Sequence, residues 1–255
     1  MLALEERTHR LEVGLPLDSI VSRTLVDDPH VVLRSRPESP LSERYRRLRL
    51  NLERGSNGHR ASPQVTVITS AVPGEGKTTT AVNLALAFVE DRERRTLLVD
   101  ADLRRPSVSR YLTPQPSFGL AEVLSGEVPL NQALIEMSDS RLWVLPAGAP
   151  TATPLDLFQA DQLGPLIAEL RRRFDRIVID TPPTVPFTDA AVLAEHADGA
   201  LLVVRAGATT RPLIQRARES LSGANFLGAV LNDVLVTVVD RYYYGYDDQK
   251  QERGS

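Results

Sequence analysis

The decamer Ser70-Ala71-Val72-Pro73-Gly74-Glu75-Gly76-Lys77-Thr78-Thr79 constrains this chain more than any other stretch. Before it runs Val65-Thr66-Val67-Ile68-Thr69, β-branched and apolar, which reads as a buried strand. After it, residues 81–88 have helical spacing and good helix formers. Strand, glycine loop and helix in that order is the context a phosphate-binding loop requires. Ala71 stands where the first glycine of such a loop often does, and the A-x-x-x-x-G-K-T spacing is otherwise kept. Gly74 and Gly76 let the backbone turn its N–H groups toward phosphate oxygens, and the following helix adds its positive end. The reading therefore assigns residues 73–79 to nucleotide: Pro73, Gly74, Glu75, Gly76, Lys77, Thr78 and Thr79. Lys77 is placed on the β- and γ-phosphates and the Thr78 hydroxyl on Mg²⁺.

Around this loop the chain alternates. Apolar runs at 96–102, 142–148, 176–183, 200–204 and 227–232 read as further strands. Helical patterns fall at 118–126, 163–174, 189–194 and 213–221 between them. Continuously apolar strands alternating with helices predict an α/β fold, a doubly wound and mostly parallel sheet covered on both faces. With 255 residues, 42% of them hydrophobic, one such domain with extensions is the expectation. The core is drawn at 61–233, preceded by an amphipathic helix and linker at 38–60 and by an extension at 1–37. In that extension, 11–16 and 31–33 read as short strands or turns. From 234 the alternation stops, and 234–255 reads as a flexible tail.

Acids gather at the expected carboxyl ends of the strands, where open α/β sheets bind ligands. Asp180 follows Ile177-Val178-Ile179 and meets the need of a phosphate loop for a second, metal-holding acid. Asp100 and Asp102 lie two apart, so on a strand both point to one side and repel unless a cation or proton lies between them. One can then help hold Mg²⁺ while the other accepts the proton of an attacking hydroxyl. Metal ligation is assigned to Thr78, Asp102 and Asp180, and catalysis to Lys77, Asp100 and Asp102. Which of the two neighbouring aspartates is the base stays open at this level.

Composition excludes several classes. A net charge of −3 gives no global argument for nucleic acid as partner. The absence of cysteine removes any disulfide framework. No apolar run approaches the roughly 18 residues needed to cross a bilayer, and residues 1–7 have no signal-peptide core. The expectation is a cytoplasmic protein drawn to the membrane's inner face by a partner.

Three runs together carry a resemblance: V-x-T-S-A-x-P-G-E-G-K-T-T, L-L-V-D-A-D-L-R-R-P, and I-V-I-D-T-P-P with Thr188-Asp189-Ala190. They are similar to the bacterial tyrosine kinases, P-loop enzymes of capsular and exopolysaccharide synthesis. The wider MinD/ParA-like group also holds the chromosome- and division-site-partitioning ATPases. The resemblance spans about residues 38–246. It implies ATP and Mg²⁺ as cofactors and gives Lys77, Thr78, Asp100, Asp102 and Asp180 the family's Walker A, A′ and B roles. It places Asn232 at the adenine base. Partitioning ATPases carry a signature lysine at the position of Val72, which argues against that branch. The remaining alternative is a non-catalytic ATP-binding regulatory subunit of polysaccharide assembly.

Two outlying features complete the reading. Tyr242, Tyr243, Tyr244 and Tyr246 are four of the six tyrosines and lie among Asp, Gly and Gln, which cannot form a core. They are similar to the family's autophosphorylation cluster. Each phosphotyrosine adds about −1.5 to −2 charge, so a modified tail repels itself and leaves an anionic site. Glu43-x-x-Arg46-x-x-Arg49 lies on one face of the helix at 41–52, apart from the stripe Leu41, Tyr45, Leu48 and Leu52. Its spacing matches the family's oligomerisation motif, which closes a ring in which each tail enters a neighbour's site. The resemblance is to the split form, activated by a separate membrane-spanning chain-length regulator. It also implies a tyrosine phosphatase and polysaccharide-biosynthesis enzymes as partners, and no nucleic acid.

Overall fold

The computed structural model describes residues 21–54, 62–159 and 161–234. Its strands are β1 (Val21–Leu25), β2 (Val65–Ser70), β3 (Thr96–Asp100), β4 (Leu112–Thr113), β5 (Ile135–Met137), β6 (Leu142–Leu145), β7 (Arg176–Asp180), β8 (Gly199–Arg205) and β9 (Phe226–Asn232). The helices are α1 (Val32–Ser35), α2 (Pro40–Arg54), α3 (Lys77–Val89), α4 (Leu120–Ser125), α5 (Leu130–Ala133), α6 (Pro154–Gln159), α7 (Leu163–Arg173), α8 (Asp189–Glu195) and α9 (Arg211–Ser220). The nine strands make one sheet in the order β4-β1-β5-β6-β3-β7-β2-β8-β9.

The six strands expected from sequence are the contiguous parallel block β6-β3-β7-β2-β8-β9. Alternate residues of each central strand feed opposite layers. Leu97, Val99, Ile177 and Ile179 join the core under α4, α7 and α8, whereas Leu98, Val178, Leu201 and Val203 join that under α3. Both faces are apolar because both are covered, which is why these runs show no alternation of polarity.

Three short strands, β1, β4 and β5, extend the sheet at one edge, with β4 antiparallel to β1 and β5 antiparallel to β6. They carry polar residues and so gave no apolar run to read. Buried Arg23 in β1 is tolerated because its guanidinium donates to the Pro114 and Gln115 carbonyls at 2.6 and 3.2 Å. Residues 21–36 thus belong to the folded body, although the sequence reading placed them in an extension. The stretch 31–33 opens the short helix α1, with Val31 in the core layer around α3, Val32 buried, and the Leu33 N–H donating to the Asn83 side chain at 3.3 Å. Residues 11–16 and the tail from 235 onward, with its four tyrosines, lie outside the described residues.

Helix α2 packs on α3 through Leu52, but Leu41, expected in the same stripe, is 45% exposed. The inward residue at that end is Ser42, whose hydroxyl donates to the carbonyls of Val32 and Arg36. A polar tie to α1, not an apolar contact, fixes the start of α2.

Candidate functional site

The loop between β2 and α3 turns on two left-handed residues, Gly74 at φ 83° and Gly76 at φ 88°. Ala71 needs no such conformation and packs in a small apolar cluster with Leu202, Val204 and Ala217, so the missing first glycine costs nothing. Pro73 and Gly74 are exposed at the tip, while Lys77 and Thr78 open α3 and are buried. Thr79 is half-buried, its carbonyl accepting from Asn83.

Lys77 Nζ donates to Asp102 Oδ2 at 3.0 Å. Burial alone would lower the lysine's pKa, but Asp180, Asp102 and Asp100 outweigh it and the net shift is upward. Asp102 is itself held, its Oδ1 accepting the Arg105 N–H at 3.0 Å. The loop after β3 is further pinned by Arg104, which donates to the buried Asp189 at the start of α8 at 2.8 and 3.3 Å and lies over the Phe187 ring. That pairing gives the sequence run Thr188-Asp189-Ala190 a physical role that sequence reasoning had not supplied.

Asp100 and Asp180 sit opposite one another in the β3–β7 register. Asp100 turns into its own loop, accepting N–H groups from Asp102 at 3.1 Å, Ser107 at 2.9 Å and Val108 at 2.8 Å. Burial pushes its pKa up to about 6 against the pull of those three donors. Both oxygens of Asp180 are buried with no hydrogen-bond partner among the described residues. Burial drives its pKa up to about 7. Lys77 draws it down, Asp100 pushes it up, and the nearby Thr78 hydroxyl lowers it without closing a bond. A buried, unpartnered carboxylate beside an ammonium is a poor structural element and a good cation ligand.

Among the described residues no three carboxylate or imidazole groups form a metal cage by themselves. Thr78 and Asp180 sit with Asp102 around Lys77, a set that suits an ion taking its other ligands from phosphate and water.

Two of the predicted nucleotide residues use their side chains elsewhere. The Glu75 carboxylate is buried, accepting the Val72 N–H at 2.9 Å and the Thr209 hydroxyl. Asn232 donates to the Glu75 carbonyl at 2.9 Å, and its amide nitrogen lies where a Cβ on Gly76 would come within 2.1 Å. Any residue but glycine at 76 would collide with it. Thr209 was not singled out from sequence, because a lone threonine in a strand–helix loop carries no signal.

Away from this cluster, α2 carries Glu43, Arg46 and Arg49. Arg46 grips Glu90 with Nε and Nη2 at 2.8–3.0 Å and donates to the Pro37 carbonyl at 2.9 Å. Arg49 donates to the Ala87 carbonyl at 2.8 Å, and Glu43 approaches Arg46 at 3.6 Å. Within one chain both arginines therefore secure α2 to the end of α3.

Comparison with known proteins places this arrangement. Residues 64–210 match the AAA domain family. The chain is 34% identical over 227 residues to tyrosine-protein kinase YwqD of Bacillus subtilis, covering 88% of this chain and 94% of that protein. The chimerical protein CapA2B2 superposes with a TM-score of 0.76 at 27% identity, over 86% of this chain and 96% of the other. The cell-division ATPase MinD of Pyrococcus furiosus superposes with a TM-score of 0.54 at 29% identity, over 66% and 71%. No helix among the described residues is long and apolar enough to cross a membrane.

Proposed function

The chain belongs to the bacterial tyrosine-protein kinases built on the P-loop AAA domain, and from that premise we propose an ATP- and Mg²⁺-dependent autokinase that modifies Tyr242, Tyr243, Tyr244 and Tyr246. The observation that carries the mechanism is the bare, buried carboxylate of Asp180 beside Lys77. Of the residues assigned to the metal, Thr78 and Asp180 would hold Mg²⁺, whose chemistry when bound is to neutralise charge on the phosphate oxygens, and Asp102 is left free of it. The N–H groups of residues 74–78 and the positive end of α3 orient the phosphates. Lys77 turns from Asp102 to the transferring phosphoryl group and offsets the charge that develops there. That movement leaves Asp102, still held by the Arg105 N–H, able to accept the tyrosine hydroxyl proton. Asp100, closed by three N–H groups, shapes the loop that presents Asp102. On this reading the base, left open by the sequence, is Asp102.

Asn232 flanks the loop and is proposed to reach the adenine base. The tail is proposed to act in trans, entering the site of a neighbouring copy in a ring closed through Glu43, Arg46 and Arg49. The expected setting is the inner face of the membrane, with a separate membrane-spanning activator, a tyrosine phosphatase and capsule or exopolysaccharide enzymes as partners. Incubation with labelled ATP, followed by mass spectrometry of the tail, tests the reading. Label on the four tyrosines that vanishes in Lys77→Met is the expected outcome. Label persisting in that variant, or absent from wild type with an activator supplied, overturns it.

A further inference from the structure

The loop at 71–76 is anchored at its start, where Ala71 is buried and the Val72 carbonyl accepts the Ser70 hydroxyl at 2.9 Å, but its tip has little to hold its shape. Its tip is exposed, a Cβ at Gly74 would meet nothing within 4 Å, and two of its residues are in a left-handed conformation that adds freedom to the unfolded chain. One residue in it is different. Glu75 is 2% exposed, with both carboxylate oxygens engaged. One oxygen takes the N–H of Val72 from within the loop, and the other takes the hydroxyl of Thr209 from the segment joining β8 to α9. The Thr209 hydroxyl in turn accepts the N–H of Arg205, the last residue of β8. From the other side Asn232, the last residue of β9, donates to the Glu75 carbonyl, and its own carbonyl accepts the Ala206 N–H. The glycine loop is therefore fastened through Glu75 to the ends of two neighbouring strands, with Val72 tied to them by way of the Glu75 carboxylate.

We propose that Glu75 is a positioning residue: its carboxylate, braced by Thr209, holds the loop in the conformation that receives phosphate, and does not touch the nucleotide. A negative charge in a loop meant for anions would ordinarily weaken binding. Here it is turned inward onto an N–H and a hydroxyl, where it supplies order the glycines cannot. Pre-organisation of this kind is felt as affinity, because a loop already in its bound shape loses less freedom on binding. The charge itself is not required, only the two hydrogen bonds, to Val72 and to Thr209. In Glu75→Gln the amide oxygen still accepts that N–H, and the amide nitrogen donates to a Thr209 hydroxyl that rotates to receive it.

The inference rests on the loop being a nucleotide site, and the experiment separates the two. Fluorescent ADP binding is measured on the full chain for wild type, Glu75→Ala, Glu75→Gln, Thr209→Val and the Glu75→Ala/Thr209→Val pair. Hydrogen exchange of the peptide carrying Val72 is followed in parallel. Glu75→Ala should raise the dissociation constant about tenfold, equivalent to about 1.4 kcal/mol. Glu75→Gln should stay within about threefold of wild type, and the double variant should match Glu75→Ala within about twofold, since the two side chains act as one unit. Exchange at the Val72 peptide should quicken in Glu75→Ala and Thr209→Val while β3 and β7 remain protected. A residue that merely stabilised the fold would lower the melting temperature without moving affinity in protein still folded, and that result overturns the inference. So do multiplicative losses in the double variant, or a Gln variant as weak as the Ala one. Should Glu75→Ala fail to fold, Thr209→Val and Glu75→Gln still decide it through the same two readouts. Wild type that binds no ADP sinks the nucleotide reading and this one with it; wild-type binding with unchanged variants sinks this one alone.

Discussion

The ends of β3 and β7 lie side by side, and each closes on an aspartate with no solvent exposure, yet the two are treated in opposite ways. Asp100 is enclosed by three N–H groups of the loop that follows it. Asp180 has none. A carboxylate closed by backbone donors builds a loop, because each donor fixes a peptide plane. One left bare in the same sheet is destabilising until a cation meets it. The pair teaches that burial alone does not mark a functional acid; what matters is whether the chain has already satisfied it.

The sharpest way to break this contrast is to neutralise each acid in turn. Asp180→Asn should lower tail phosphorylation by on the order of 10³-fold, as removal of a main electrostatic contributor does. Its melting temperature in the absence of nucleotide should hold or rise, because no hydrogen bond is lost and a buried charge is removed. Asp100→Asn should instead cost about 2–3 kcal/mol of stability, since the amide cannot accept all three N–H groups. Calorimetry of the two variants beside phosphate-transfer rates checks this. Equal destabilisation by both would erase the distinction.

Next in size, Asp102→Asn should slow transfer by on the order of 10²-fold if Asp102 is the proton acceptor. Nucleotide affinity should change much less. Rates measured against acceptor and nucleotide concentration separate the two, and a loss confined to affinity would return the base role to Asp100.

The contrast also has a pH signature. The folded pKa of Asp180, about 7, lies above the usual carboxylate value, so the folded protein binds a proton there that the unfolded chain has lost. That contribution to stability is full at low pH and disappears as pH rises through about 7. A divalent cation must displace the proton, so Mg²⁺-dependent ADP binding should weaken by up to about tenfold per unit as pH falls below about 7. Titration calorimetry between pH 5.5 and 8 checks it, and Asp180→Asn should flatten the profile. A flat wild-type profile would mean that Asp180 stays ionised throughout.

The sequence disclosed most where local chemistry and fold coincide. The phosphate loop was legible because Gly74, Gly76 and Lys77 do their work within a few residues of one another, and the parallel block because buried strands on both faces are apolar throughout. Asp180 could be nominated from the strand before it, but its bareness could not, since that depends on what fails to reach it from β2, β3 and α3. Glu75 was read with its neighbours as a nucleotide residue. Its partner Thr209 is 134 positions away and arrives only through the β2–β8 pairing. The edge strands β1, β4 and β5 escaped notice because their residues satisfy polar needs at the rim, as Arg23 does.

The smallest predicted effect concerns α2, where charges are neither closed off like Asp100 nor bare like Asp180. Arg46, 24% exposed at its side chain, grips Glu90 of its own chain, and a pair this open contributes about 0.2–1 kcal/mol. Arg46→Ala should therefore lower the melting temperature by only a degree or two if the arginine serves its own chain alone. A role between copies adds something stability does not register. In that case Arg46→Ala and Arg49→Ala should shift the mass in sedimentation toward the monomer. Glu90→Gln, which frees Arg46 for a neighbour's Glu43, should keep or strengthen the assembly. If all three variants sediment alike, the arginines act as ties between α2 and α3, and the proposal that they close a ring is overturned. If only Glu90→Gln strengthens assembly, the intrachain grip is a competitor of the intersubunit one, and the exposed charges of α2 join Asp180 as groups whose best partner lies outside their own chain.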